Sequence, residues 1–178
     1  NLYNFFKKEV PKNKQLLSFN KKSVRFTDYE LNTPEDLTKL RTKKVALVTG
    51  ASKGVGKGAA EGLAEAGYKV YFTGRSSSKD NPPKPLTIEA TAQSVDKFGG
   101  EGIPILLDHN DDKQVQKLVD RIQMEDGRLD VLVNNVFQIP NPPAMGKGFW
   151  EHPISVWDDQ CGVGLRGYYV MSAFAAPL

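Results

Sequence analysis

A chain of 178 residues, 39% hydrophobic and 25% charged, is long enough to bury one ordinary core. No run approaches the ~18 to 20 consecutive apolar residues of a membrane-spanning helix, and a single Cys with two separated His excludes both an internal disulfide framework and a Cys/His zinc cluster. The net charge of +3 is too small to argue for nucleic acid and is unevenly placed, residues 1–43 holding ten Lys/Arg against five Asp/Glu.

Residues 1–43 show no sustained periodicity and read as an irregular basic N-terminal extension outside the core. The acid-poor start admits a mitochondrial presequence, although Lys rather than Arg dominates it. A membrane-surface or nucleic-acid arm is the weaker reading, because no amphipathic or aromatic-interleaved pattern is present. The chain opens on Asn1 and stops at Leu178 without a tail, which reads as an interior piece of a longer protein.

From Lys44 the pattern becomes regular, and residues 44–178 read as one folded domain. Lys44 to Val48 is a short β-branched run ending at Thr49-Gly50, a buried strand entering a turn. Val55, Ala59 and Leu63 then recur at helical spacing until Gly67. Tyr68 to Thr73 predicts a second strand, Thr87 to Phe98 a helix, and Gly102 to Leu107 a third strand. Val115, Leu118, Val119 and Ile122 mark one face of a helix ending at Gly127. Leu129 to Val133 is the fourth strand, apolar at four of five positions as a parallel strand buried on both faces should be. Pro140, Pro142 and Pro143 make the next stretch a loop, and Trp157, Cys161, Leu165, Tyr168 and Ser172 mark one side of a last helix. Strands alternating with helices predict an α/β fold: a Rossmann-like doubly wound parallel sheet with right-handed crossovers.

The strongest local signal is Thr49-Gly50-Ala51-Ser52-Lys53-Gly54-Val55-Gly56, lying between the first strand and the first helix. Gly50 permits the sharp turn, Gly54 lets backbone approach a ligand, and Gly56 lets the helix pack closely. The helix N-terminus then offers free N–H groups and a positive dipole end to a pyrophosphate. Ser52, Lys53 and Val55 lie inside the same turn and count among the candidate cofactor contacts. An ATP- or GTP-binding loop fails on spacing: Gly58 follows Lys57 where Ser or Thr would hold magnesium, and Ala51 stands where the first Gly should be.

Dinucleotide folds that choose NAD usually carry an acid at the end of the second strand, for the ribose 2′-hydroxyl. Here that place reads Thr73-Gly74-Arg75-Ser76, and the planar guanidinium of Arg75 suits a 2′-phosphate. With Lys53 as a second cation, NADP is expected, and NAD less so.

These motifs resemble the short-chain dehydrogenases/reductases. The Gly50-x-x-x-Gly54-x-Gly56 spacing is that of the family's classical members, Asp108 matches the residue at the end of strand three that contacts or positions adenine, and Asn134-Asn135-Val136 is similar to the family's Asn-Asn-Ala-Gly with its last two positions changed. The resemblance covers residues 44 to about 176. It implies hydride transfer between NADP(H) and a carbonyl or alcohol carbon, with a Ser, a Tyr and a Lys at or beyond a fifth strand doing the proton chemistry. No such set follows the fourth strand before Leu178, so no catalytic residue is assigned in this chain. The chain alone is expected to be inactive, and Leu129 to Val133 to be an unprotected sheet edge. Tyr3 and Lys7 share the Tyr-x-x-x-Lys spacing but precede the core and read as chance. A further helix Asn of the family would fall at Gly164. Gly162, Gly164 and Gly167 weaken a helix unless another backbone or the cofactor comes close.

Residues 137–153 follow the fourth strand, where open α/β sheets place substrates. Phe137, Met145, Phe149 and Trp150 there point to a small apolar carbonyl or alcohol substrate, unless they simply cover the core. The expected partners are that substrate and, in the full-length form, a second copy; nucleic acid is not expected, and membrane association stays open. The expected site is intracellular, in the cytoplasm or at the endoplasmic reticulum, with the mitochondrion also open. The alternative function is a non-catalytic NADP-binding sensor or scaffold. A Ser followed by Tyr-x-x-x-Lys beyond Leu178 would decide for the enzyme.

Overall fold

The computed structural model describes residues 43–80, 86–141 and 146–178. The basic extension with Tyr3 and Lys7, and Pro142, Pro143 and Met145 of the proline loop, lie outside the described residues. Within them the chain runs β1 (Val45–Val48), α1 (Gly54–Glu65), β2 (Lys69–Gly74), α2 (Ile88–Lys97), β3 (Glu101–Leu106), α3 (Asp112–Glu125) and β4 (Val131–Val133). A 3-10 turn (Phe149–Glu151), α4 (Ser155–Gln160), a π-helical segment (Cys161–Arg166) and α5 (Gly167–Ala175) follow. The strands form one parallel sheet in the order β3-β2-β1-β4.

The order follows from composition. β1 and β2 hold the centre because their apolar residues are buried on both faces. In β1, Val45 and Leu47 join a core built with α3 and α5, whereas Ala46 and Val48 join a second core built with α1 and α2. β3 lies at one edge of this sheet, where Pro104, which has no N–H to give, pairs only with Phe72 of β2. β4 lies at the other edge and, among the described residues, pairs only with β1; its three residues are half-buried.

Local signals account for the ends of the helices. The Thr87 hydroxyl accepts the Ala90 N–H to open α2, and the Asp111 carboxylate accepts the Lys113 and Gln114 N–H groups to open α3. Gly67, Gly99 and Gly127 follow α1, α2 and α3, all with positive φ.

Two expectations about helix faces are corrected. The buried seam of α1 is Gly56, Ala60 and Ala64, while Val55 is 82% exposed and Ala59 and Leu63 are half-buried. Small residues win that seam because they let the helix lie close to the sheet. In the last helical stretch, Val163, Gly167, Val170, Met171 and Ala175 face the core, whereas Trp157 and Leu165 are exposed. A π-helical turn, Cys161–Arg166, interrupts this stretch between α4 and α5. It spans Gly162 and Gly164, which tolerate the irregular backbone at little steric cost.

Candidate functional site

The site is built where β1, β2 and β4 end. The N–H of Thr49 continues the β1–β4 ladder to the Val133 carbonyl at 2.9 Å, and the Ala51 N–H reaches the Thr73 carbonyl at 2.8 Å. The Thr49 side chain then fastens the strand that follows: its hydroxyl oxygen accepts the N–H groups of Asn135 and Val136 at 2.9 and 3.1 Å. The Asn135 amide returns the tie, donating to the carbonyls of Thr49 and Gly50, both at 2.9 Å. Asn135 thus holds the glycine turn from below, a role that Asn134, the residue singled out from sequence, does not share. The Asn134 amide donates to Ser172 of α5 at 2.9 Å, and its Oδ1 is buried without a partner among the described residues.

The glycines fill the roles the turn requires. Gly50 adopts φ +70°, and a Cβ there would come within 2.7 Å of Val136 Cα. At Gly56 a Cβ would come within 2.4 Å of both Asn135 Nδ2 and the Gly50 carbonyl oxygen. Gly54, at φ +58°, opens instead onto empty space. At the start of α1, Lys53 takes the capping position in extended backbone, no side chain caps the helix, and no acid occupies its first turn. Among the described residues, no side chain therefore engages the free N–H groups and positive end of this helix.

Around this cradle, Lys53, Val55 and Arg75 are exposed and Ser52 is half-buried. Arg75 Nη1 donates to Gln138 Oε1 at 3.3 Å, and Gln138 Nε2 donates to Asp159 Oδ1 at 2.8 Å, linking the end of β2 to the loop after β4 and to α4. The loop after Arg75 is fixed by Glu89, which accepts the Ser77 hydroxyl and the Ser78 N–H. Asp108, half-buried, accepts the Asn110 N–H at 3.0 Å and so shapes the bend after β3.

Two further buried groups were not singled out in the sequence. Thr73, 0% exposed, accepts the Gly50 N–H at 3.1 Å, and its hydroxyl oxygen lies 2.7 Å from Nε2 of His109, 2% exposed. Burial pushes the His109 pKa down to about 4; the nearby Asp108 charge opposes this and Arg75 reinforces it. The imidazole is therefore neutral at physiological pH. A lone His gives no sequence signal of such a role; only its place directly after Asp108 could have drawn attention to it.

The glycines of the last helical stretch meet the β3–α3 loop loosely. Positions for a Cβ at Gly162 and Gly167 lie 3.6 Å from Asn110 Oδ1 and 3.8 Å from His109 Cβ, ordinary contact distances, and Gly164 faces open space. Close backbone approach therefore does not account for these glycines, two of which, Gly162 and Gly164, lie in the π-helical segment. Phe137, Phe149 and Trp150 are exposed and so do not cover the core.

Three helical crossovers between parallel strands, a glycine turn opening the first of them and Asn residues following β4 define a dinucleotide-type α/β domain, and residues 44–178 match the model of the short chain dehydrogenase family. The chain belongs to that family. It is 42% identical over 140 residues to Dehydrogenase/reductase SDR family member 1 of Mus musculus, covering 76% of this chain and 42% of that protein. The Homo sapiens counterpart is 41% identical over the same length. Among solved structures, a metagenomic short-chain oxidoreductase in complex with NADP matches with a TM-score of 0.62 and 28% identity, over 75% of this chain and 55% of that one. The chain thus spans about 42% of the length of the curated relatives named here.

Proposed function

We propose that this chain is the cofactor-binding part of an NADP-dependent short-chain oxidoreductase acting on a small apolar carbonyl or alcohol. The observation that carries the reading is the glycine turn. The open space beside Gly54, the uncapped helix end and the two exposed cations, Lys53 and Arg75, support a pyrophosphate in the turn and a 2′-phosphate beside Arg75. The NADP complex of the metagenomic relative supports a nicotinamide cofactor here. Bound NADP(H) would supply the hydride.

The chain's own residues would hold that cofactor and border the substrate. Backbone N–H groups at Gly54 to Gly56 would take the pyrophosphate, with Ser52 and Lys53 beside it and Val55 covering it from solvent. Arg75, released from Gln138, would take the 2′-phosphate, and Asp108 would position the adenine. Asn134, half-buried behind β4, would border the reacting end. The exposed aromatics Phe137, Phe149 and Trp150 would give the pocket margin an apolar character.

In the complete protein NADPH should bind at least about tenfold tighter than NADH, a difference of about 1.4 kcal/mol. Arg75→Asp should erase or reverse this preference. Equal affinities in the unaltered protein, measured by fluorescence titration, would remove the NADP assignment. No Tyr-x-x-x-Lys follows Val133 within residues 1–178, so a polypeptide of these residues alone should show no substrate-dependent oxidation of NADPH. Turnover by it would place the proton donor among residues to which no such role has been given.

A further inference from the structure

We propose that His109 is a positioning residue for the adenosine end of the cofactor, holding the glycine turn, the end of β2 and the β3–α3 loop in one arrangement through Thr73. The inference rests on the cofactor reading above and adds a residue to it. Three segments meet at one buried hydroxyl. Thr73 Oγ1 accepts the N–H of Gly50, where the turn begins, and lies 2.7 Å from His109 Nε2. Each segment carries a candidate contact: Gly50 leads into the pyrophosphate turn, Arg75 stands two residues after Thr73, and Asp108 directly precedes His109.

The chemistry at His109 argues against a packing role. Its Nδ1 is buried with no partner among the described residues, and a buried polar atom left alone destabilises the fold. A Leu or Ile would fill similar space without that cost. What the imidazole offers in return is the Nε2 contact, which a hydrocarbon cannot make.

The test compares two amides of equal polarity but different reach in the complete protein. Glutamine at 109 can place its amide where Nε2 lies; asparagine is one bond too short. His109→Gln should leave the NADPH dissociation constant within about twofold, and His109→Asn should raise it, and the KM for NADPH, about fivefold, with kcat unchanged within about twofold. If the unaltered protein binds NADPH and the two variants bind it equally, the inference is overturned and the cofactor reading stands. If the unaltered protein binds neither NADPH nor NADH, the cofactor reading falls and takes the inference with it. Should His109→Asn fail to fold, Thr73→Ser and Thr73→Val pose the same question from the other partner. The hydroxyl-bearing variant should bind NADPH about fivefold tighter, and equal affinity would overturn the inference.

Discussion

The two ends of the central strands handle polarity in opposite ways. Where β1 and β2 end, Thr49, Thr73 and Asn135 secure the backbone with neutral hydrogen bonds, and the cations Lys53 and Arg75 stay exposed with no ion pair among the described residues. Where β2 begins, charges are paired within the protein. Lys69 reaches Asp126 at 2.9 Å, Arg121 reaches Glu125 at 2.6 Å, and the Tyr71 hydroxyl donates toward Glu125 and Asp126 at 2.5 and 2.7 Å. Lys69 also lies over the Tyr71 ring at 5.1 Å. Charge neutralised internally serves the fold, and in the proposed reading the charge left exposed at the other end serves the cofactor.

Substitutions at the two ends should therefore separate binding from stability, and the largest effect belongs where the two cannot be separated. Gly56→Ala would drive a Cβ into Asn135 and the Gly50 carbonyl. It should cost about 3 kcal/mol of stability, the upper end for overpacking, and at least about tenfold in NADPH affinity; denaturant titration and cofactor titration check the pair. A variant as stable as the parent would show that the turn yields more easily than its contacts indicate.

At the opposite end, Tyr71→Phe should cost about 1.5–3 kcal/mol at neutral pH, the range for a hydrogen bond to charged groups, and leave cofactor affinity unchanged. Burial, then the hydrogen bonds to Asp126 and Glu125, then their charges raise the Tyr71 pKa well above its ordinary value. A folded pKa raised above the unfolded one means that the contribution is full below about pH 10 and is lost as pH rises beyond it. Denaturant midpoints between pH 8 and 11 should fall more steeply in the parent than in Tyr71→Phe. A parallel decline would dissociate this tyrosine from alkaline unfolding.

The smallest effect is expected at Gly58, in the first half of α1, where a Cβ meets nothing within 4 Å and φ lies outside the left-handed region. Gly58→Ala should stabilise by about 0.5–1 kcal/mol without changing affinity. Thermal unfolding beside NADPH titration is sufficient to show it, and destabilisation would reveal a contact at this face of the helix.

The contrast between the two ends also governs what could be read from sequence. Strand and helix order were legible because β-branched runs and the Val115, Leu118, Val119, Ile122 face are local patterns, and the glycine turn is a local motif between them. The face of α1 was not, because Val55, Ala59 and Leu63 carry the larger hydrocarbon while the sheet accepts the smaller Gly56, Ala60 and Ala64. The π segment was hidden for a related reason: an i, i+4 stripe such as Trp157, Cys161 and Leu165 looks the same whether it faces core or solvent. Asn135 stood in the Asn134-Asn135-Val136 motif, but its tie to the glycine turn, like the roles of Thr73 and His109, lay beyond reach because each acts through a partner distant in sequence, and no spacing rule joins Thr73 to His109.

The ties between Thr49 and Asn135 span 86 residues. During synthesis at about 5–20 residues per second, β1 and its turn would leave the ribosome roughly 4–17 seconds before Asn135 exists to hold them. Helices close on neighbouring residues within microseconds, but the cradle must wait for a long loop to shut. The glycine turn, the proposed cofactor contact, is thus secured only after β4 has been made, and a ribosome pausing before β4 would carry a nascent chain with that turn still unfastened.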